Sequence, residues 1–196
     1  MEIIVYLIEN FMEVFTLVTG IVYVILEIRQ KNFMWILGML TSAATVYVFF
    51  VQGLFASAAL NIYYFIIAFW GLFQWRKDSA AVRDSGSIHL NRLPLGTILL
   101  SLALFIAGTA SLTFVMEHFG DPMSVLDASV TMLSAIATWW LGKSYLQQWF
   151  LWIAANVLTF VMCLHQSLYL LSVLYAVYVF SAVFGYFHWK RNGVYI

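Results

Sequence analysis

Every lysine and arginine of this chain falls in a connection after the first, third, fifth or seventh of its apolar segments, and that distribution constrains the fold more than any other feature. Hydropathy delimits seven spans: Glu13 to Ile28, Phe33 to Val51, Leu54 to Trp75, Leu95 to Met116, Val125 to Leu141, Trp149 to Leu164 and Leu168 to Trp189. Each is close to the roughly 20 residues a helix needs to cross the hydrocarbon core. Arg29 and Lys31 follow the first span; Arg76, Lys77, Arg83 and Arg92 the third; Lys143 the fifth; Lys190 and Arg191 the seventh, which accounts for all nine. A miscounted span would scatter these charges onto both sides, so the charges require seven. By the positive-inside rule the basic connections face the cytoplasm, with the N-terminus outside and the C-terminus inside. The opposite side carries Glu2, Glu9, Glu13, Glu117 and Asp121, with Asp127 close by.

Hydrophobic residues make up 64% of the chain and charged residues 9%, against roughly 45–50% and about 25% in a soluble domain. The expectation is therefore an all-α integral membrane protein, multi-pass in a cell (inner) membrane, forming one bundle over residues 1–196 with the lipid bilayer as its surroundings. A net charge of zero without a basic cluster excludes nucleic acid as a partner. One cysteine, Cys163, permits neither a disulfide framework nor a CxxC metal site within the chain. Met1 to Phe11 carries Glu2 and Glu9 and no basic start, so no cleavable signal peptide is expected. The stretch Asp78 to Arg92, with Ser79, Ser85, Gly86 and Ser87, reads as a solvated cytoplasmic loop, and Pro94 sits where a helix starts.

Sliding the chain over itself by 114 positions lays Glu13–Lys77 on Asp127–Arg191 without a gap. Trp35 then meets Trp149, Thr45 meets Thr159, Gln52 meets Gln166, Tyr64 meets Tyr178 and Trp75 meets Trp189; from Trp35 to Lys77 eleven of 43 positions are identical. Two repeats, about 13–77 and about 127–191, flank a linker helix at about 94–116. An odd number of intervening helices puts both repeats in the membrane the same way up, a 3+1+3 plan with parallel triple-helix repeats. Parallel repeats are a transporter architecture, with the substrate site near the midplane at their interface.

The segment Trp149-Phe150-Leu151-Trp152-Ile153-Ala154-Ala155-Asn156 sets two indoles and an amide at i, i+3 and i+7, on one helical face. An amide in hydrocarbon requires a partner, either a second helix or a ligand. The plainer reading makes Trp149 an interfacial anchor and Asn156 a helix-to-helix contact. The repeat register pairs Ser42 with Asn156 and Asn61 with Tyr175, four polar residues well inside their spans. Trp152, Tyr63, Tyr64, Trp70, Trp139, Trp140 and Tyr178 supply aromatic faces for a flat, cationic ring, two or three of them in contact with it.

Other chemistries lack their residues. No lysine precedes Lys190 in the last span, so a retinal Schiff base has no candidate. Glu13, Glu27 and Asp127 lie near span ends, where water reaches them, which argues against a proton relay. His89, His118, His165 and His188 are dispersed over loops and ends without metal-ligand spacing and read as solvated interfacial residues. With no GxxxxGK[ST] and no paired nucleophile and base, the chain is expected to be neither an ATPase nor another enzyme, and to need no cofactor.

On the Asp127…Met132-Leu133-Ser134 segment, the Trp149-Phe150-Leu151-Trp152…Asn156 core, Gln166…Tyr169 with Tyr175, and Gly71…Trp75 after Leu60-Asn61, the whole chain resembles the Pnu-type vitamin transporters. The resemblance implies a seven-helix, SWEET-like 3+1+3 fold and facilitated uptake of a vitamin precursor, nicotinamide riboside first, followed by trapping through a cytoplasmic kinase. It also implies substrate binding by Trp149, Trp152 and Asn156, with Tyr175 a recurrent tyrosine, and an assembly as a trimer. Asn61 stands where many nicotinamide riboside members have a glutamine. Thiamin and riboflavin are carried by related proteins, and the same aromatic and amide lining suits thiamin. The candidate substrate contacts are thus Trp149, Trp152, Asn156, Asn61, Tyr175, Ser42, Tyr64 and Tyr178. A seven-helix receptor that binds a ligand without moving it is the alternative from another class.

Overall fold

The computed structural model describes residues 11–51, 55–81, 88–118 and 123–196. The expectations for a signal peptide over residues 1–10, for Gln52, for Arg83 and residues 85–87, and for Asp121 lie outside the described residues, as does the side chain of Glu13. Among the described residues there are seven α-helices: α1 Phe11–Ile28, α2 Phe33–Val51, α3 Phe55–Ala81, α4 Leu95–His118, α5 Ser124–Gly142, α6 Gln148–His165 and α7 Tyr169–Asn192. Each coincides with one of the seven spans read from hydropathy. Pro94 precedes α4 and its carbonyl accepts from the amides of Thr97 and Ile98 at 3.0 and 3.2 Å, so it starts a helix rather than breaking one.

Among the described residues four stretches are long and apolar enough to cross a membrane: α4, α5, α6 and Leu171–Asn192 of α7. The helix α4 has the clearest reason to be in lipid. It is apolar on every side, packs mainly on α5, and leaves Leu99, Leu102, Ile106 and Phe114 at the surface. Such a helix is stable only where hydrocarbon, not water, meets that surface. The chain is a multi-pass helical membrane protein.

The core sits at the basic end of the bundle and is built from tryptophan. Trp35, Trp75, Trp149 and Trp189 are all at most 1% exposed. Trp35 meets Trp75 edge-on at 5.1 Å and Trp149 meets Trp189 edge-on at 5.4 Å, the geometry that sets a positive ring edge on a negative face. Gly71 and Gly185 lie directly beneath the indoles of Trp35 and Trp149, where a side chain would collide with them. The Trp75 indole donates to the Leu141 carbonyl and the Trp189 indole to the Ile28 carbonyl, both at 2.9 Å, so each caps the last turn of a helix from the other half of the chain.

The 114-residue register reappears in the bonding. The five turn bonds that join α1 to α2, Arg29 to Ile25, Gln30 to Glu27, Lys31 to Leu26, Met34 to Lys31 and Trp35 to Asn32, have counterparts between α5 and α6. These are Lys143 to Trp139, Ser144 to Leu141, Tyr145 to Trp140, Gln148 to Tyr145 and Trp149 to Leu146. Gln30 and Ser144, both at positive φ (49° and 55°), are the matched turn residues, and the Gln30 amide donates to Ser144 Oγ at 3.3 Å. A residue bonded to its own counterpart lies where the two halves meet.

Two expectations require correction, the ends of two helices and the setting of the linker with His89. The helices α3 and α7 run past Trp75 and Trp189, continued by i,i+4 side-chain contacts of Gln74 with Asp78 and of His188 with Asn192. The helical bundle also carries a short parallel pair, β1 (Ile88–Leu90) and β2 (Gly193–Tyr195), across the basic end. Ile88–Leu90 of the Asp78–Arg92 linker are consequently not a solvated loop, and His89 is not a solvated residue. Ile88, His89 and Leu90 are buried, and the imidazole of His89 stands edge-on to Trp75 at 6.0 Å. Their backbone is satisfied by the Gln30 amide, which donates to the His89 carbonyl at 3.0 Å and accepts from its N–H at 2.8 Å. His118 and His165 remain exposed.

Candidate ligand cavity

The helix α6 has no proline and no internal glycine, so the i, i+3, i+7 spacing is kept and Trp149, Trp152 and Asn156 present one face. That face lines a cavity of about 280 Å³, bordered on its other sides by α1, α5 and α7; Tyr175 and Tyr178 of α7 line it too. A second cavity of about 390 Å³ is lined by Ser42, Asn61 and Tyr64, together with Trp35 and Gly38. Gly20, Tyr23, Trp152 and Tyr178 line both, so the two spaces adjoin. All eight residues singled out from sequence line one or the other. They come from helices on both sides of α4 in the chain.

Several polar groups in this wall lack protein partners. The indole N–H groups of Trp35, Trp149 and Trp152 are buried without a hydrogen bond. Asn156 makes no hydrogen bond to another described residue. A buried donor left unpaired costs about 1–3 kcal/mol, so these groups are poised for acceptors that a ligand or water brings. The plainer reading of this segment is therefore not realised: Trp149 is buried beneath Gly185 rather than anchored at an interface, and Asn156 bonds no neighbouring helix. Tyr64 stands edge-on to Tyr63 at 5.5 Å, and Tyr175 to Tyr178 at 5.8 Å.

The remaining aromatic candidates lie elsewhere. Tyr63 and Trp139 line a third, apolar cavity of about 310 Å³ beside Leu100 and Leu104 of α4, and the Tyr63 hydroxyl donates to the Ala135 carbonyl at 2.8 Å. The Trp140 indole donates to Ser101 Oγ at 3.0 Å, which ties α5 to α4. Trp70 packs on Gly142 with the Lys143 ammonium 5.1 Å from its ring centre, a cation–π contact on the basic side.

Sequence reasoning missed the contribution of α1. Gly20, Tyr23 and Glu27 line the first cavity, and their spacing is again i, i+3, i+7, the same signal that picked out the tryptophan face. Glu27 was expected to be within reach of water near a span end; it is 4% exposed. The reason is tertiary: α1 packs on α2 and α7, Gln148 of α6 lies beside Glu27, and Trp149 shares its cavity wall. Among the residues lining the three cavities none is lysine, arginine or histidine, and Glu27 is the one charged group.

A multi-pass helical bundle that gathers aromatic and amide groups around a cavity, with unpaired donors buried in the wall, has the form of a membrane carrier for small polar molecules. The sequence model of the nicotinamide mononucleotide transporter family matches residues 10–191, and the chain belongs to that Pnu-type transporter family. Among curated proteins it is similar to the nicotinamide riboside transporter PnuC of Neisseria mucosa, 27% identical over 184 residues that cover 89% of this chain and 70% of the relative. It is similar also to the proteins of that name from Escherichia coli K12, 21% identical with 89% and 83% covered, and from Haemophilus influenzae, 22% identical with 89% and 76% covered. The fold matches a solved structure titled as the vitamin B3 transporter PnuC with a TM-score of 0.72 over 97% of this chain and 85% of that one, at 24% identity.

Proposed function

We propose that the chain is an inner-membrane facilitator of nicotinamide riboside, the molecule named for its curated relatives. The observation that carries this reading is the cavity wall: aromatic rings, an unpaired carboxamide and buried indole donors, without a basic residue. A flat ring fits the aromatic faces, and ribose hydroxyls supply acceptors for the orphan donors. A phosphate would meet no cation there, which favours the riboside over the mononucleotide that the family name mentions. Trp149 and Trp152 hold the ring, Asn156 and Asn61 bond the polar edges, Ser42 and Tyr64 extend the wall, and Tyr175 and Tyr178 close it.

The moving parts in this reading are two parallel triple-helix repeats, about 13–77 and about 127–191, joined by α4 in a SWEET-like 3+1+3 plan. The recurrence of five turn bonds at a spacing of 114 and the reciprocal tryptophan caps support it. Rocking of one repeat on the other about the Gln30–Ser144 contact exposes the cavity alternately to each side. The basic end faces the cytoplasm, where a kinase phosphorylates the riboside and traps it, and the chain assembles as a trimer.

The test is counterflow into liposomes loaded with unlabelled riboside, with Trp152→Ala and Asn156→Ala as variants. Accelerated exchange by the natural protein, lost by tenfold or more in both variants, is the expected result. Binding without counterflow would make the protein a receptor, and full exchange by both variants would remove the site from this cavity.

A further inference from the structure

We propose that Glu27 is the specificity-determining carboxylate of the cavity, and that it selects flat organic cations over neutral rings of the same shape. The inference deepens the transport reading above and rests on it for the cavity being a substrate site. Glu27 is buried, its Oε1 lacks a hydrogen bond, and no cationic side chain lines any of the cavities. A buried carboxylate without a countercharge destabilises the fold unless it takes up a proton or meets a positive charge brought from outside.

The duplication supplies the second observation. Gln148, fully buried at the start of α6, is the polar side chain beside Glu27, and its neutral amide brings no countercharge. In the 114-residue register the counterpart of Glu27 is Leu141 and that of Gln148 is Met34, both 0% exposed. One slot in the scaffold is therefore filled by leucine and methionine, and its counterpart by a carboxylate and an amide. The turn geometry around both slots is the same, bond for bond, so the fold has no need of the polar pair. Its location does distinguish it: Glu27 reaches the cavity wall beside Trp149, Trp152 and Asn156, while neither Leu141 nor Met34 lines a cavity. Placed at the edge of an aromatic chamber of low polarity, a carboxylate attracts a pyridinium or thiazolium ring far more strongly than it would in water. Ring faces and carboxylate then act on the same charge from two directions.

The test measures affinity in lipid nanodiscs for two matched pairs: nicotinamide riboside against its neutral dihydro form, and thiamin against neutral deazathiamin. The natural protein should bind the cation of at least one pair tenfold or more tighter than its neutral partner. Glu27→Gln, close to isosteric, should abolish that ratio and leave the neutral form's affinity and the ligand-free melting temperature unchanged or higher. The Glu27→Leu/Gln148→Met variant, which copies the counterpart slot, should fold and behave alike. A Glu27→Gln protein that keeps the ratio, or that loses affinity for cation and neutral form equally, overturns the assignment. Selectivity for the thiamin cation that depends on Glu27, with no binding of either riboside form, supports the carboxylate's role and refutes the riboside as substrate. No cation preference in the natural protein refutes the role of Glu27 whichever ligand binds.

Discussion

Gly185→Ala tests whether the tryptophan core and the ligand cavity are mechanically one object. A Cβ at Gly185 would stand 2.6 Å from Cζ3 and 2.7 Å from Cζ2 of Trp149. Relaxed carbon contacts are about 3.5–4.0 Å, so the indole must retreat by roughly 1 Å. It is 1% exposed and meets Trp189 edge-on at 5.4 Å, which leaves the cavity of about 280 Å³ that it lines as the direction of retreat. Overpacking of this kind costs about 1–3 kcal/mol, which lowers the melting temperature of a chain this size by ~2–4 °C per kcal/mol. The stabilisation by a saturating ligand should shrink as well, because the indole now occupies the ligand's space. Thermal unfolding in detergent, with and without ligand, reads both. Gly96→Ala, where a Cβ meets nothing within 4 Å, is the matched control and should leave both values unchanged. Trp149→Phe added to Gly185→Ala should recover stability relative to the single glycine variant without restoring ligand binding. A Gly185→Ala protein with the natural melting temperature and the natural ligand shift would refute the coupling.

Other predictions follow from the same contacts. Trp189→Phe leaves the Ile28 carbonyl without its donor, and Trp75→Phe does the same to Leu141, so each should lower stability by about 1–3 kcal/mol in thermal or denaturant unfolding. Gln30→Ala removes both bonds to the His89 backbone and should raise amide exchange over Ile88–Leu90 more than in α6. Burial holds the imidazole of His89 below its ordinary value of 6.5, against the smaller opposing pull of the Asp78 carboxylate. The unfolded chain therefore binds this proton more readily than the folded one. Stability should decline as pH falls below about 6.5, until the folded imidazole is itself protonated. His89→Gln should flatten that part of a melting-temperature profile, and an unchanged slope would refute the assignment.

The helices were legible in the sequence because the solvent dictates them: backbone groups in hydrocarbon must be satisfied within their own segment, so apolar runs of the right length become α-helices wherever they occur. The i, i+3, i+7 face of Trp149, Trp152 and Asn156 was legible for the same local reason, and so was the register that pairs Trp35 with Trp149 and Trp75 with Trp189. What the sequence alone left undecided depends on contacts between segments far apart in the chain. Nothing near His89 announces that Gln30, 59 residues earlier, takes both of its backbone groups and draws it against Trp75. Glu27 has the spacing of a residue near a helix end, where water is the default neighbour. Packing against segments far away in the chain, with Gln148 beside it and Trp149 in the same cavity wall, takes that water away, because burial is a property of what covers a residue and not of the residue itself.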